Sequence, residues 1–194
     1  LAIRNEAINY SGDSLSFVVP AKTLSEVVKL MNNDDGEVSL SVGKRHIIFN
    51  VDGYEIISRL LDGEFLNYKA AIPSTTKTVI NVNTRSLIDS IDRTSLIITD
   101  KIKSPVKCVF EDNLIKMSSI TSLGTANDKL PAKIEGDSCT IGFNNKYMLD
   151  ALRVCDTDEI RVMLNGAVSP ILIVPPEGDE FIFLILPVRL KNED

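Results

Sequence analysis

The chain carries one pattern three times, and this repeat limits what it can fold into. The stretches are FVVPAKTLSEVVKLM at 17–31, TVINVNTRSLIDSIDRT at 78–94 and CTIGFNNKYMLDALRVC at 139–155. Each has a short apolar run typical of a strand, a polar step typical of a helix cap, and then apolar residues at helical spacing. Leu24, Leu87 and Met148 occupy the same place in the pattern, 63 and then 61 positions apart. This near-constant period predicts one structural unit repeated along the chain.

Strand-like segments follow each predicted helix. They are EVSLSV, RHIIFNV and YEIISRLL after the first helix; VKCVFE, NLIKMSSI and a less regular stretch over 123–134 after the second; EIRVMLN, SPILIVP and EFIFLILPV after the third. Turn residues separate the segments at 34–36, Asp52-Gly53, Asp112-Asn113 and 177–179. Each unit is therefore predicted to be β-α-β-β-β, and the fold class to be α+β with antiparallel sheets.

The repeat also predicts the domain organisation. One helix cannot cover a four-stranded sheet alone, so the units are expected to pair. The two units within 76–194 make one complete domain, whereas the unit within 1–75 has no partner. Because the opening residues LAIR already resemble a strand in progress, we expect the chain to be clipped inside a domain.

Composition excludes several classes of protein. The chain has 194 residues, of which 44% are hydrophobic, and a net charge of -6. Apolar runs are shorter than the roughly 20 residues that span a bilayer, and the start lacks a signal-peptide layout, which predicts a cytoplasmic protein. The charge argues against gripping nucleic acid by bulk electrostatics, so any DNA contact requires a local basic patch. Cys108, Cys139 and Cys155 lie in apolar settings without CxxC spacing, which favours reduced core thiols.

Motifs for catalysis are weak in this sequence. It contains no GxG, no GxxxxGK[ST] and no GxSxG. The sequence therefore gives no support for a glycine-rich nucleotide-binding loop or for a serine nucleophile on a strand-to-helix turn. His46 is the only histidine and is expected to be a solvated strand residue. Acidic clusters occur at Asp34-Asp35 and at Asp156, Asp158 and Glu159. A metal-dependent hydrolase using the second cluster is one alternative, but both clusters fall where turns and caps are expected. We therefore predict a protein that is not an enzyme and needs no cofactor or metal.

Each predicted helix carries two cations about two turns apart on one side. The pairs are Lys22 and Lys29, Arg85 and Arg93, and Lys146 and Arg153. One interpretation is a solvated helix face on which Glu26 and Asp150 pair with the cations. The other is a basic track suited to sequence-independent phosphate contact, which requires the helices of successive units to lie side by side.

Several separated motifs together resemble one known family. SVGKRHIIFNVDGYEIISRLLDGEFLNYKAAIP, IGFNNKYMLDALR and the closing LPVRL are similar to the bacterial sliding clamp, the beta subunit of DNA polymerase III. The resemblance runs from Leu1 to Leu190 without large gaps. It implies the DNA clamp fold, in which subunits of three domains close head to tail into a ring, with helices lining the hole and sheets outside. Residues 1–75 would then be the second half of the middle domain, and 76–194 the C-terminal domain.

The resemblance implies a processivity factor that encircles duplex DNA and tethers its partners. It supplies the side-by-side helices that the basic track requires, and Lys22 and Lys29 match positions at which family members contact the duplex. The expected partners are duplex DNA, the DNA polymerase III alpha subunit, the clamp loader and repair polymerases. The alternative is a repeat scaffold that binds protein peptides without DNA.

The resemblance also implies a cleft for short partner peptides and a dimer contact. The dimer contact would include Leu96 and Ile97. The cleft residues would be Leu1, Leu66, Ala70, Ala71, Asn144, Tyr147, Val168, Pro170, Leu184, Leu186, Pro187, Val188, Arg189 and Leu190. Taken alone, Tyr147 would be an ordinary half-buried helix aromatic.

The chain departs from the family pattern in three respects. The first domain and the first unit of the middle domain are absent, which puts ring closure in doubt. Ala21 and Ala70 stand where some members carry basic residues. The closing KNED extends past the usual end and is expected to be a solvated tail.

Overall fold

The computed structural model describes residues 1–31, 36–99, 101–102 and 104–190. They form two compact units: the first contains Leu1–Ile8 and the described residues from Tyr68 onward, and the second contains Asn9–Asn67. Both mix helices with antiparallel strands, so the predicted α+β class is confirmed. The predicted turn at Asp34-Asp35 and the KNED tail lie outside the described residues.

The described elements follow the predicted repeat except at the strand predicted over 17–19. The helices are α1 Ala21–Leu30, α2 Thr84–Thr94 and α3 Asn145–Leu152, with a short 3₁₀ helix at Tyr68–Ala71. The strands are β1 Ala2–Arg4, β2 Val38–Val42, β3 His46–Val51, β4 Tyr54–Arg59, β5 Thr78–Asn83, β6 Val106–Glu111, β7 Leu114–Thr121, β8 Gly124–Pro131, β9 Lys133–Gly136, β10 Cys139–Phe143, β11 Glu159–Leu164, β12 Ile171–Val174 and β13 Phe181–Ile185. None of the helices described is long and apolar enough to cross a membrane.

The first unit contains two antiparallel sheets that exchange strands between the two repeats. One sheet has the order β1-β13-β12-β11-β5-β9, and the other has the order β10-β6-β7-β8. Strand β5 of the earlier repeat pairs with β11 of the later one, and β10 of the later repeat pairs with β6 of the earlier one. The exchange ties the described parts of these two repeats into one compact unit.

Helices α2 and α3 contact each other and pack on these sheets. Their apolar stripes, including Leu87, Ile91, Met148 and Leu152, are buried in one core with alternate residues of the strands. Asn83 caps α2 by accepting a hydrogen bond from the Ser86 N–H group at 2.9 Å. The cap and the stripes fix which face of each helix remains at the surface.

The three cysteines are free thiols in apolar surroundings. Cys108 and Cys139 are buried in the core of the first unit, and Cys155 is half-buried against it. Burial raises the pKa of all three thiols, that of Cys155 to about 11. They are therefore packing residues kept in the unreactive thiol form.

The second unit is a smaller layer of one sheet and one helix. Strands β2, β3 and β4 form a three-stranded sheet, and α1 packs on β3 and β4. Its buried core consists of Val27 from α1 and Ile47, Phe49 and Val51 from β3. The strand predicted at 17–19 is wrong, because the structure has no strand there. Among the described residues no sheet edge pairs with this segment, and Val18 accepts only one backbone hydrogen bond, from Leu61 at 2.9 Å.

Two predicted turns have the backbone conformation that hairpins require. Asp52 and Gly53 join β3 to β4 with φ values of 45° and 82°, and Asp112 and Asn113 join β6 to β7 with 52° and 56°. Such left-handed residues match the twist of the flanking strands. The less regular stretch over 123–134 divides into β8 and β9, which belong to different sheets.

Candidate functional site

An apolar concavity of about 600 Å³ lies in the first unit beside β1, β13 and α3. Strand β1 forms the outer edge of the sheet next to β13, and Leu184 donates its N–H group to the carbonyl of Leu1 at 2.9 Å. The lining residues are Leu1, Ala2, Ala71, Tyr147, Asp150, Ala151, Val154, Phe183, Leu184, Ile185 and Leu186. An apolar hollow with few polar groups suits a short hydrophobic segment of a partner.

Tyr147 and Leu186 are the most exposed large side chains of this concavity. Tyr147 lies in the first turn of α3, where Asn144 accepts hydrogen bonds from the Lys146 and Tyr147 N–H groups. Its side chain is 65% exposed, and that of Leu186 is 69% exposed. The helix cap therefore fixes the backbone beneath an aromatic ring that has little to pack against within the chain. Exposed aromatics held on a rigid element are typical anchors of binding surfaces.

The structure brings together part of the predicted cleft. Leu1, Ala71, Tyr147, Leu184 and Leu186 line the apolar concavity. Sequence reasoning missed Ala2, Asp150, Ala151, Val154, Phe183 and Ile185. Helical spacing could have found three of them, because Asp150, Ala151 and Val154 follow Tyr147 by three, four and seven positions.

The other predicted cleft residues lie elsewhere. Asn144 lines a polar concavity at the start of α3, which also contains Tyr147 and Ser104. Val188, Arg189 and Leu190 line a further concavity, described below with the terminal segment. Ala70 directly precedes Ala71, and Pro187 directly follows Leu186, but neither Ala70 nor Pro187 is among the residues that line the apolar concavity. Val168 is exposed and Pro170 half-buried between β11 and β12, and Leu66 is an exposed residue of the second unit.

The terminal segment, residues 186–190, leaves its sheet after Ile185, as expected near Pro187. Val188 then donates its N–H group to the carbonyl of Gly142 in β10, at 2.8 Å. A Cβ atom at Gly142 would lie 2.7 Å from the Val188 carbonyl oxygen and 2.7 Å from Leu190 Cδ2. The crossing therefore requires glycine. Sequence reasoning missed Gly142, although a glycine inside a strand signals close backbone approach.

Most of the predicted DNA-facing cations are held in ion pairs. Along the helices, Lys29 pairs with Glu26 at 2.9 Å and Arg85 with Asp89 at 3.1 Å. The remaining pairs link different elements: Arg93 with Asp128 at 2.6 Å, and Arg153 with Asp92 at 3.1 Å. Lys22 and Lys146 are exposed on α1 and α3.

The pair between Arg153 and Asp92 joins α3 to α2. In the first unit, the side-by-side helices that the basic-track interpretation required are therefore present. The carboxylates beside the cations neutralise much of their charge. Such a surface can make only weak, screened contacts with phosphates.

Leu96 and Ile97, the predicted dimer residues, lie two and three positions after the last residue of α2. Leu96 is 80% exposed, Ile97 is half-buried, and the next residue, Ile98, packs against the core. Ile98 thus anchors the segment while Leu96 presents an apolar side chain at the surface.

The acidic residues of the alternative hydrolase site make structural contacts. Arg4 donates to Asp156 at 2.7 Å, and this hydrogen bond lowers the pKa of the Asp156 carboxyl. The backbone carbonyl of Asp158 accepts the Thr84 N–H group at 2.9 Å. Glu159 is exposed at the start of β11. Within the described parts of the chain, no three His, Cys, Asp or Glu side chains converge as metal ligands would. His46 is an exposed residue at the start of β3, as predicted.

Comparison with known protein families identifies the fold. The model of the DNA polymerase III beta subunit, central domain, matches residues 1–67, and that of the DNA polymerase III beta subunit, C-terminal domain, matches residues 69–189. The two models follow one another along the chain. The chain therefore belongs to the DNA polymerase III beta subunit family.

Individual relatives agree with this membership. The chain is 30% identical over 191 residues to the beta sliding clamp of Staphylococcus epidermidis, covering 97% of this chain and 51% of that protein. The crystal structure of the DNA polymerase sliding clamp from Bacillus subtilis matches with a TM-score of 0.93 and 35% identity, covering 98% of this chain and 51% of that one. A putative DNA polymerase III beta subunit from Eubacterium rectale matches with a TM-score of 0.92 and 32% identity, over 96% and 51% of the two chains. The chain thus spans about half the length of these relatives.

Proposed function

We propose that this chain is part of a sliding clamp, a processivity factor that encircles duplex DNA and tethers a DNA polymerase. The observation that carries the proposal is the match of two consecutive clamp domain models to residues 1–67 and 69–189. The role is non-catalytic, because tethering requires a surface that holds a partner and no bond-breaking step. A cytoplasmic location stays a prediction.

We assign residues 1–75 to the second half of a clamp middle domain and residues 76–194 to a clamp C-terminal domain. In the full-length protein two subunits would close into a ring, with the helices toward the hole and the sheets outside. The exposed Leu96 beside Ile97 supports a role in the contact between subunits, since an apolar side chain at the surface gains free energy when a partner covers it.

The tether is a short peptide of the partner seated in the apolar concavity. Leu184, Leu186 and Phe183 offer aliphatic and aromatic surface, and Tyr147 adds a rigid ring at the rim. Burying apolar area of this kind supplies most of the affinity of a small hydrophobic site. The proposed partners are the DNA polymerase III alpha subunit, the clamp loader and repair polymerases, each through its own peptide.

In this proposal the helix surfaces bind DNA only weakly. The DNA-facing cations are Lys22, Lys29, Arg85, Arg93, Lys146 and Arg153. A ring keeps DNA by topology, so its inner surface has no need of tight binding. Cations already paired with carboxylates attract the phosphates of the duplex only weakly. A clamp that binds DNA weakly can slide along it.

A peptide titration tests the tethering role. A fluorescein-labelled peptide from the clamp-binding segment of a polymerase III alpha subunit is titrated with the chain and followed by anisotropy. The substitution Tyr147→Ala removes an aromatic anchor, and we expect it to weaken binding on the order of tenfold. Tyr54→Ala, which removes a similarly exposed tyrosine from the second unit, is the matched control and should bind as the parent chain does.

Two results would contradict the assignment. One is the absence of peptide binding to the folded parent chain. The other is equal affinity of the Tyr147→Ala variant and the parent, with circular dichroism verifying that both are folded.

A further inference from the structure

Helix α1 of the second unit exposes apolar side chains at positions that are buried in the other two repeats. Leu24 is 45% exposed and Val28 is 66% exposed. The residues that hold the same two places in α2 and α3 are Leu87, Ile91, Met148 and Leu152. All four of these are buried in the core that both repeats of the first unit share. Leu24 and Val28, which we call the α1 stripe, are therefore core positions without a covering repeat in the part of the chain that the structure describes.

Strand β2 presents an open edge in the same unit. In the first unit, the first strand after each helix pairs with the strand that opens the other repeat: β6 pairs with β10, and β11 with β5. Strand β2 holds the same place after α1, but among the described strands it pairs with β3 alone. An open edge keeps unpaired N–H and C=O groups that can pair with a further strand.

The segment 17–19 lacks the corresponding partner. It holds the place in its repeat that β5 and β10 hold in theirs. Each of those two strands pairs with a strand of the other repeat, whereas 17–19 meets no strand of a second repeat among the described residues. The segment 17–19 and β2 are thus the two places at which a like repeat would exchange strands with this unit.

The charge on α1 indicates the chemistry of such a repeat. Lys29, Asp92 and Arg153 hold one position in the three helices, and Arg153 donates to Asp92 at 3.1 Å from α3 to α2. Two paired helices therefore meet at this position with opposite charges. Lys29 has Glu26 at 2.9 Å on its own helix, an exposed pair of small energetic weight. A second copy of this chain would bring Lys29 against Lys29, whereas a carboxylate at that position would attract it.

We propose that the α1 stripe, β2 and the segment 17–19 dock a further β-α-β-β-β repeat whose helix carries an aspartate or glutamate opposite Lys29. The docked repeat exchanges strands with 17–19 and β2, as the two repeats of the first unit do with each other. The inference rests on the assignment of residues 1–75 to half of a clamp domain, and it names the charge by which that half selects its partner. Lys29 is then paired across helices in the same way as Arg153.

Two forms of the chain supply the test. The Lys29→Glu variant carries a carboxylate at the position of Asp92 and is otherwise the parent chain. The parent, an isotope-labelled variant and their equimolar mixture are compared by sedimentation velocity, and native mass spectrometry counts the mixed dimers. We expect the mixture to associate about threefold to tenfold more tightly than either form alone, because opposite charges replace like charges, and the gain to shrink as salt rises. Lys22→Glu, the same charge change at another exposed lysine of α1, is the matched control and should give no gain.

Hydrogen exchange and a second pair of variants locate the contact. Amides of 17–19 and of β2 should become protected in the mixed dimer, because both form strand pairs on docking. The further substitution Val28→Ser in both forms should abolish the association. Ile57→Ser, which removes a similarly exposed aliphatic side chain from β4, is its control and should keep the association. Circular dichroism verifies that each variant is folded.

Four results would overturn the proposal. A mixture that associates no more tightly than the separate forms removes the charge selection, and a parent that dimerises as well as the mixture makes a second copy the occupant. Association that survives Val28→Ser but is lost with Leu96→Ser places the contact in the first unit. A mixed dimer without protection at 17–19 and β2 excludes strand exchange. Each of these leaves the peptide titration with Tyr147→Ala, and with it the tethering function, unaffected.

Discussion

Asp128 connects strand β8 to helix α2 through its side chain. Its Oδ2 atom accepts hydrogen bonds from Ser90 at 2.7 Å and from Arg93 Nη2 at 2.6 Å. Desolvation acts to raise the pKa of this carboxyl, but the hydrogen bonds from Ser90, Arg93 and the Lys129 N–H group outweigh it and lower the pKa. The charged form of Asp128 is therefore the one that stabilises the fold.

The sign of the pH dependence follows from the lowered pKa. The stabilisation is fully present above the ordinary carboxyl pKa, near 3.8, and is lost as the pH falls through the lower value of the folded state. Asp128→Asn should cost about 1 kcal/mol at pH 7, since Arg93 is well exposed and its pair is screened. Urea unfolding should show the gap between parent and variant narrowing from pH 5 to pH 3. Asp89→Asn, which breaks the exposed pair with Arg85, is the control, and an equal effect there would refute the special role of Asp128.

The position of the terminal segment depends on the absence of a Cβ atom at Gly142. It crosses β10 where the Gly142 carbonyl accepts a hydrogen bond from the Val188 N–H group, and its residues line the apolar concavity and the further one that contains Arg189. Any Cβ atom at this position would meet backbone, which cannot rotate away. The placement of residues 186–190 is thus coupled to a strand of the other sheet.

Gly142→Ala should displace the terminal segment. We expect a loss of about 1–3 kcal/mol in the free energy of unfolding, as for other overpacked sites, together with weaker binding of the labelled clamp-binding peptide. Urea unfolding and anisotropy measure the two effects. Gly43→Ala is the control, because its nearest neighbour to the added Cβ would be the His46 carbonyl oxygen at an ordinary 3.5 Å. A Gly142→Ala variant as stable as Gly43→Ala would contradict the tight crossing.

Two separate cores stabilise the part of the chain that the structure describes. The core of the first unit joins both sheets and two helices, whereas the buried core of the second unit is Val27, Ile47, Phe49 and Val51. A small core leaves little free energy after the cost of ordering the chain. The second unit should therefore be the less stable part of the molecule.

Hydrogen exchange should report the difference in stability between the two units directly. Amides of β3 in the second unit should exchange faster than those of β5 or β11 in the first. Phe49→Ala, which removes about 3–5 kcal/mol of core packing, should unfold the second unit and leave the protection of β5 and β11 intact. Ile91→Ala is the converse variant and should lower protection in the first unit. A single cooperative transition that both substitutions shift equally would contradict two separate cores.

Binding of duplex DNA tests the proposed DNA contact of the whole chain. Under the proposed function, affinity is weak and falls with salt, and removal of Lys22 and Lys29 by alanine substitution should lower the slope of log affinity against log salt by up to about 2. Lys77→Ala with Lys133→Ala, which removes two exposed lysines of the first unit outside its helices, serves as the control. An unchanged slope in the Lys22 and Lys29 variant, with peptide binding intact, would favour the alternative of a peptide scaffold that does not contact DNA.

The sequence by itself determined the repeat, the fold class, most strands and helices, the hairpin turns and the family, because these depend on local spacing, caps and turn residues. It also predicted Tyr147, Leu184 and Leu186 as residues of one site. Only the tertiary structure decided that β5 and β10 exchange between sheets, that the segment 17–19 forms no strand, and that Gly142 receives the terminal segment. It likewise decided which carboxylates pair with Lys29, Arg85, Arg93 and Arg153. These features depend on contacts between residues far apart in the chain, and local patterns carry no information about such contacts.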